Sequence, residues 1–325
     1  MPVHNDTITA VAGITAGHWT HESGKTGCTV VLCPEGAVAS VDVRGGAPAT
    51  RETDLLRTGN LVQRAHAIVL SGGSAYGLDA ASGVMSWLEE RDIGFPVNVG
   101  VVPIVSAASL YDFTVTQGEA RPGAGSGYAA CEASSSDALV CGSVGAGAGA
   151  TVGKALGAER AMRGGLGSAA ERSVSGFTVG AVAAVNSLGE VVDPELGAIV
   201  AGVRAEEGRA FLSSLEVLRD RPSSSPFAAA ENSTLAVVAT DATLTKDQVY
   251  RLAVMAQTGL ARAIRPVHTP VDGDIVFALA TCANGAEADI LQLGALAARA
   301  VERAILRGVR EAASLPGIPA ARDWI

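Results

Sequence analysis

The chain has 325 residues, 39 of them glycine, with 48% apolar and only 4% aromatic residues, and 33 acidic against 24 basic side chains leave a net charge of −9. That length can bury a large core, and with few aromatics and much Ala, Gly and Val the core must consist of small side chains in closely packed layers. Without a Lys/Arg cluster or a basic stripe interleaved with aromatics, the acidic balance argues against a nucleic-acid partner.

Residues 1–20 lack the positively charged start and apolar core of a secretory signal. Residues 29–32 and 37–43 read as paired strands around a Cys33-Pro34-Glu35-Gly36 turn. Residues 66–70 read as a strand that runs into Ser71-Gly72-Gly73-Ser74, and the apolar spacing of 78–91 predicts a helix after it. The longest uncharged runs, such as residues 139–153, are too short and Gly-rich to span a membrane, which predicts a soluble protein. Residues 176–185 read as a further strand. Residues 221–230, rich in Pro, Ser and Ala, offer no periodic apolar face and read as an exposed, mobile linker. Beyond it the pattern predicts a strand over 235–240, a helix over 246–263 after the cap-like Thr245, a strand over 274–280 and a helix over 287–307. With no internal repeat and no break between independent units, residues 1–325 are expected to form one α/β domain.

Several chemistries find no support. Gly145-Ala146-Gly147-Ala148-Gly149-Ala150 and Gly164-Gly165-Leu166-Gly167 satisfy neither the dinucleotide fingerprint nor the phosphate loop, since Gly153-Lys154 is followed by Ala155; close backbone approach explains such glycines better. His4, His18, His21, His66 and His268 form no metal-binding spacing, so neither metal nor cofactor is expected. Cys28, Cys33, Cys131, Cys141 and Cys282 have no CxxC spacing and read as reduced thiols of a cytoplasmic protein.

What remains is Glu231-Asn232-Ser233-Thr234-Leu235, a hydroxyl pair where the linker meets a strand. A mobile peptide bond next to a fixed hydroxyl suits an N-to-O acyl shift, in which Ser233 attacks the Asn232 carbonyl and water hydrolyses the resulting ester. The freed α-amine of Ser233, with an ordinary pKa of about 8, could then act as base for its own hydroxyl. The same residues also suit a plain strand start after a loop. Asp272-Gly273-Asp274 places two carboxylates two residues apart, on one side of an extended segment, where they could orient an ammonium group or simply form a polar turn.

Thr29-Val30-Val31-Leu32, the segment from Val43-Arg44-Gly45-Gly46 to Glu52-Thr53, Leu70-Ser71-Gly72-Gly73-Ser74-Ala75-Tyr76-Gly77, Gly145 through Lys154, Gly180 through Asn186, and Asn232-Ser233-Thr234-Leu235 together resemble the L-aminopeptidase/D-esterase family. That family includes β-peptidyl aminopeptidases and the nylon-oligomer hydrolase. The resemblance implies an N-terminal-nucleophile-like, four-layer αββα sandwich with two central sheets, self-cleaved into residues 1–232 and 233–325. It also implies homo-oligomers of the cleaved pairs and small peptide or amide substrates. By the same resemblance Ser233 is the nucleophile, Asn186 an oxyanion donor, Lys154 a cation beside the new amine and Tyr111 a pocket hydroxyl. Asp272 and Asp274 become the acidic pair, and Arg44, Gly72 and Gly73 fall to the substrate. Close relatives of the nylon-oligomer hydrolase carry Thr directly after the scissile Asn, so Thr234 is the alternative nucleophile. Two other readings stay open: acyl transfer of the ornithine-acetyltransferase type, and an uncut binding protein.

Overall fold

Nine strands form one mixed sheet in the computed structural model, which describes residues 5–222 and 231–324. They are β1 (Thr15–Thr20), β2 (Gly27–Val43), β3 (Ala49–Arg51), β4 (Arg64–Ser71), β5 (Val105–Ser109), β6 (Gly165–Arg172), β7 (Thr178–Asn186), β8 (Ser233–Thr240) and β9 (Ile275–Ala280). Their order is β6-β7-β8-β9-β2-β4-β5-β3, with β1 also paired to β2. Pairing is parallel for β8 with β9 and for β4 with β5, and antiparallel elsewhere. The helices that carry the argument are α1 (Ala80–Glu89), α2 (Ala124–Glu132), α3 (Ser214–Arg219), α4 (Lys246–Ala263) and α5 (Ile290–Glu311).

The 17 residues of β2 make the sheet fold over on itself. Its first half lies between β1 and β4, and its second half pairs with β9. Side chains then alternate between layers, as the strand period of two requires. Ala181, Ala183 and Val185 of β7 pack with Leu252 and Ala256 of α4 and with Ala297 and Ala304 of α5. Val182 and Ala184 turn the other way, into a middle layer with Leu235, Phe277, Ile68 and Leu70. Val69 and Ala107 face Val84 and Leu88 of α1 and Ala130 of α2. The result is the expected four-layer αββα sandwich, its two sheets joined by hydrogen bonds through β2. Each fully buried Leu or Val contributes roughly 1.5–3 kcal/mol of transfer free energy, before ordering costs.

Small residues set the layer spacing. A Cβ on Gly167 of β6 would run into the Ala304 carbonyl and Gly308 of α5, so helix and strand touch through their backbones. Glycine density therefore serves close approach here. At the start of α4, Thr245 Oγ1 accepts from the Gln248 backbone N–H at 3.3 Å while Gln248 Oε1 accepts from the Thr245 N–H at 2.8 Å, a reciprocal cap that gives the helix its predicted bounds.

Three expectations need correction. Residues 29–32 and 37–43 are not a hairpin: both belong to β2 and both pair with β4, Leu32 opposite Ala67 and Ala37 opposite Ala65. Cys33 to Gly36 bulge out between them, with Gly36 at φ +75°, so the turn-forming residues serve a bulge. Of the helix expected over 78–91, the first part is a 3-10 turn, Ser74–Asp79, and α1 follows it. The last long helix begins three residues late, at Ile290, because the Asp289 side chain accepts from the Leu291 N–H at 2.9 Å and caps it there; it runs on to Glu311. Residues 223–230 of the expected linker lie outside the described residues.

Candidate active site

The linker expectation places Ser233 at the first position of a rigid strand, and Ser233 is the first residue of β8. It stands opposite Asn186, the last residue of β7, in the antiparallel register. On its other side the parallel register with β9 reappears three positions before the Leu235–Ile275 pair, as a bridge between Asn232 and Asp272. Ser233, Asn186 and the Asp272–Gly273–Asp274 turn are thus brought together by strand register alone.

Around the Asn232 carbonyl the geometry is close. Ser233 Oγ donates to that oxygen at 2.5 Å, and the Gly273 backbone N–H donates to it at 2.8 Å. A Cβ on Gly273 would stand 2.6 Å from Ser233 Oγ, so the hydroxyl occupies space that only glycine leaves open. The side chain of Thr234 points the other way: Oγ1 is fully buried and has no hydrogen-bond partner among the described residues.

Asn186 and Lys154 interlock beside this pair. Asn186 Oδ1 accepts from the Thr151 N–H at 3.0 Å and from Lys154 Nζ at 3.0 Å, which fixes the amide so that Nδ2 faces the Tyr111 carbonyl at 3.0 Å and the Glu231 carbonyl at 3.1 Å. Lys154 Nζ also donates to the carbonyls of Asn186 and Glu231, both at 3.1 Å. Burial pushes the Lys154 ammonium down to about 7, while the carboxylates of Asp272, Glu231 and Asp274 work to keep its proton. What ties Tyr111 to the site is its carbonyl; its ring packs on Phe113 at 5.1 Å.

The two aspartates divide their work. Asp272 Oδ1 accepts from the Leu188 N–H at 3.3 Å and Oδ2 from the Thr269 hydroxyl. Burial, with the Asp274 charge beside it, raises its carboxyl above the usual range. Asp274 Oδ1 accepts from the Thr234 N–H at 2.7 Å, and Oδ2 lies 2.8 Å from the His268 N–H and 3.1 Å from His268 Nδ1. Asp274 therefore holds the backbone next to Ser233, while Asp272 anchors the segment that follows Asn186.

Arg44, Gly72 and Gly73 are placed differently. The Arg44 N–H donates to the Asp274 carbonyl at 3.0 Å, but its guanidinium pairs with Asp42 at 2.7 Å. Gly72 packs against the Asp112 carboxylate and Thr26, and the Gly73 N–H donates to Asp112 Oδ1 at 2.9 Å. None of the three hydrogen-bonds Ser233 or Asn186 among the described residues. Sequence reading missed the Gly273 N–H, Thr269 and His268; the glycine inside Asp272-Gly273-Asp274 was the available signal. Three of the five thiols are held neutral, since burial pushes Cys28, Cys33 and Cys131 up to about 12.

This chain is 43% identical to an uncharacterized aminopeptidase of Mycobacterium tuberculosis over 343 aligned positions, covering 98% of this chain and 97% of that protein. It is 31% identical to the 6-aminohexanoate-oligomer endohydrolase of a Kocuria species, covering 83% of this chain and 73% of that protein. Among solved structures, the L-aminopeptidase D-Ala-esterase/amidase of Ochrobactrum anthropi, described as a variant of the Ntn hydrolase fold, superposes with a TM-score of 0.71 at 19% identity, over 98% of this chain and 91% of that one; it supports the fold. The family model for Peptidase family S58 matches residues 6–322, and on that match the chain belongs to peptidase family S58.

Proposed function

We propose that this chain is a self-processing amide hydrolase of the aminopeptidase type, which cuts its own Asn232–Ser233 bond and then acts on small peptides or amino-acid amides through an acyl-enzyme at Ser233. The observation that carries this reading is the Asn232 carbonyl oxygen held between Ser233 Oγ and the Gly273 N–H. Attack of Oγ on the Asn232 carbonyl carbon places negative charge on that oxygen, where the Gly273 N–H already points. Collapse breaks the C–N bond, the hydroxyl proton passes to the departing nitrogen, and an ester joins Asn232 to Ser233. Water then releases the Asn232 carboxylate and leaves Ser233 with a free amine and a free hydroxyl.

Cleavage also changes the donors. In the uncut chain the Glu231 carbonyl occupies both Lys154 Nζ and Asn186 Nδ2. Once residues 231–232 can move away, Asn186 Nδ2 is available for a substrate oxyanion, and Lys154 lies beside the new amine, where a like charge favours the neutral, basic form. Family membership and the amide-cleaving names of the relatives agree with this chemistry. The free cysteines fit a cytoplasmic enzyme, and homo-oligomers of the cleaved pair belong to the same proposal.

Mass spectra of the native and denatured wild-type protein, Ser233→Ala and Thr234→Ala test it. Fragments ending at Asn232 and beginning at Ser233, absent only from Ser233→Ala, are the expected result. A wild-type chain that stays whole after long incubation contradicts the proposal.

A further inference from the structure

The loop that carries Asp272, Gly273 and Asp274 also carries His268, which the hydrolysis described above does not use. His268 has φ +57°, in the left-handed region that residues with a side chain seldom enter. In that conformation its backbone N–H and its ring Nδ1 both face Asp274 Oδ2, at 2.8 and 3.1 Å. The other oxygen, Oδ1, accepts from the Thr234 N–H at 2.7 Å. One carboxylate thus links the imidazole to the residue that follows Ser233. Because an ionised carboxylate only accepts, Nδ1 is the ring nitrogen that donates. Nε2 is buried and has no hydrogen-bond partner among the described residues, so the ring's polar contact is with Asp274.

This line of bonds lies behind the strand, away from the reacting hydroxyl. Ala236 and Val238 of β8 and Val276 and Ala278 of β9 face the layer of α4 and α5, and Thr234 and Asp274 continue those two rows. Leu235 and Val237, in step with Ser233, face the middle layer. His268 hydrogen-bonds neither Ser233 Oγ nor the Asn232 carbonyl among the described residues. What it reaches is the strand end. In the uncut chain Ser233 is held from both directions, by the Asn232–Asp272 bridge before it and by the pairing of β8 with β7 and β9 after it. Cleavage at Asn232–Ser233 would remove the first hold, and chain ends fray unless they are tied down. The Thr234 N–H would then be the first peptide N–H of the new chain, with Asp274 as its acceptor.

We propose that His268 is a positioning residue for the nucleophile: its ring pins Asp274 so that the carboxylate holds the Thr234 N–H and keeps Ser233 in place once Ser233 has become a chain end. The inference rests on the hydrolase reading above and adds to it a residue that acts after the cut rather than during it. A misplacement of about 1 Å at a reacting group can cost about 10²-fold in rate, so loss of the ring should be felt in kcat. Substrate affinity and self-cleavage, which do not depend on a tethered chain end, should change little.

The test compares wild type with His268→Gly, which accepts the left-handed backbone and has no ring, and His268→Asn, which tolerates that backbone and offers an amide N–H near the place of Nδ1. His268→Asp, shaped like Asn but without the donor, supplies the same contrast should the glycine variant fail to fold. Mass spectrometry first establishes the cut at Ser233. Then kcat and KM are measured with the p-nitroanilides of leucine, alanine and β-alanine, and hydrogen exchange is read at the Thr234 amide. His268→Gly is expected to be cut, to lose roughly 10- to 100-fold in kcat with KM little changed, and to exchange the Thr234 N–H about tenfold faster. His268→Asn should recover most of the kcat and of the protection. A glycine variant with wild-type kcat, a loss confined to KM, or a loss that Asn does not recover overturns the positioning role. A glycine variant that folds but stays whole while wild type is cut places His268 in the cleavage step and overturns its assignment to the step after it. A wild-type chain that stays uncut, or is cut and hydrolyses none of these anilides, overturns the hydrolase reading and the role of His268 with it.

Discussion

Asn186 and Ser233 form the terminal pair of the antiparallel ladder between β7 and β8, so the amide of one and the hydroxyl of the other leave their strands at the same level. Asn186 Oδ1 is taken by Thr151 and Lys154, which leaves its amide hydrogens as the variable part. Asn186→Asp keeps the acceptor but turns a carboxylate toward the Tyr111 and Glu231 carbonyls, with no donor for an oxyanion. Loss of one such donor typically lowers kcat about 10²- to 10³-fold. Because the Asn232 carbonyl is held by Gly273, self-cleavage should persist in this variant. The expected outcome is a chain cut at Ser233 that hydrolyses amide substrates at least a hundredfold more slowly, read by mass spectrometry and steady-state kinetics on the same sample.

Gly273→Ala should separate folding from cleavage. The added methyl would sit 2.6 Å from Ser233 Oγ and 2.8 Å from the Ala47 carbonyl, so either the hydroxyl leaves the Asn232 carbonyl or the turn shifts. Either movement spoils the alignment of attacking oxygen, carbonyl and N–H donor. The variant should keep the wild-type circular dichroism spectrum and remain mostly full length over a period in which wild type is fully cut. Cleavage at the wild-type rate would show that the Gly273 approach plays no part.

Under the proposed mechanism, Lys154 governs the pH dependence of turnover. Its ammonium, pushed down to about 7 by burial, donates to the carbonyls of Asn186 and Glu231, and the proposal sets it next to the amine that cleavage would create. A positive neighbour disfavours protonation of that amine, so its removal raises the amine pKa. Lys154→Met should therefore move the acid limb of the kcat/KM profile toward higher pH by about one unit, while Lys154→Arg, which keeps the charge, should leave it nearer its original position. A limb that stays fixed or moves to lower pH in Lys154→Met contradicts this assignment.

Much of the layout is local and was legible for that reason. The Thr245 and Gln248 cap lies within four residues and fixes α4; the apolar run after the Pro/Ser-rich segment placed the start of β8 at Ser233. What sequence reading missed depends on partners far along the chain. Cys33-Pro34-Glu35-Gly36 has the composition of a hairpin turn, and only the pairing of both flanks with β4 makes it a bulge. Gly273 is an ordinary turn glycine until the Asn232–Asp272 bridge sets it against a residue forty positions earlier. The aspartates follow the same rule: their spacing suggested one shared face, whereas tertiary donors draw Asp272 to Leu188 and Asp274 to Thr234 and His268.

Asp112 offers a test of the fold that does not depend on catalysis. Its carboxylate is buried, accepts from Thr26 Oγ1 at 2.5 Å and the Gly73 N–H at 2.9 Å, and has its pKa raised by burial to about 6. A carboxyl whose pKa is higher folded than unfolded binds more protons in the native state between those two values. Its stabilising contribution is therefore complete below about 4 and is lost as pH rises through 6. A gap of about two units corresponds to about 3 kcal/mol. Asp112→Asn cannot titrate, so denaturant unfolding should find its stability relative to wild type rising by about that amount between pH 4 and pH 7. The absolute offset between the two proteins depends on how well the amide replaces the Thr26 and Gly73 contacts; the pH-dependent part does not, which makes a flat difference across this window the decisive contrary result.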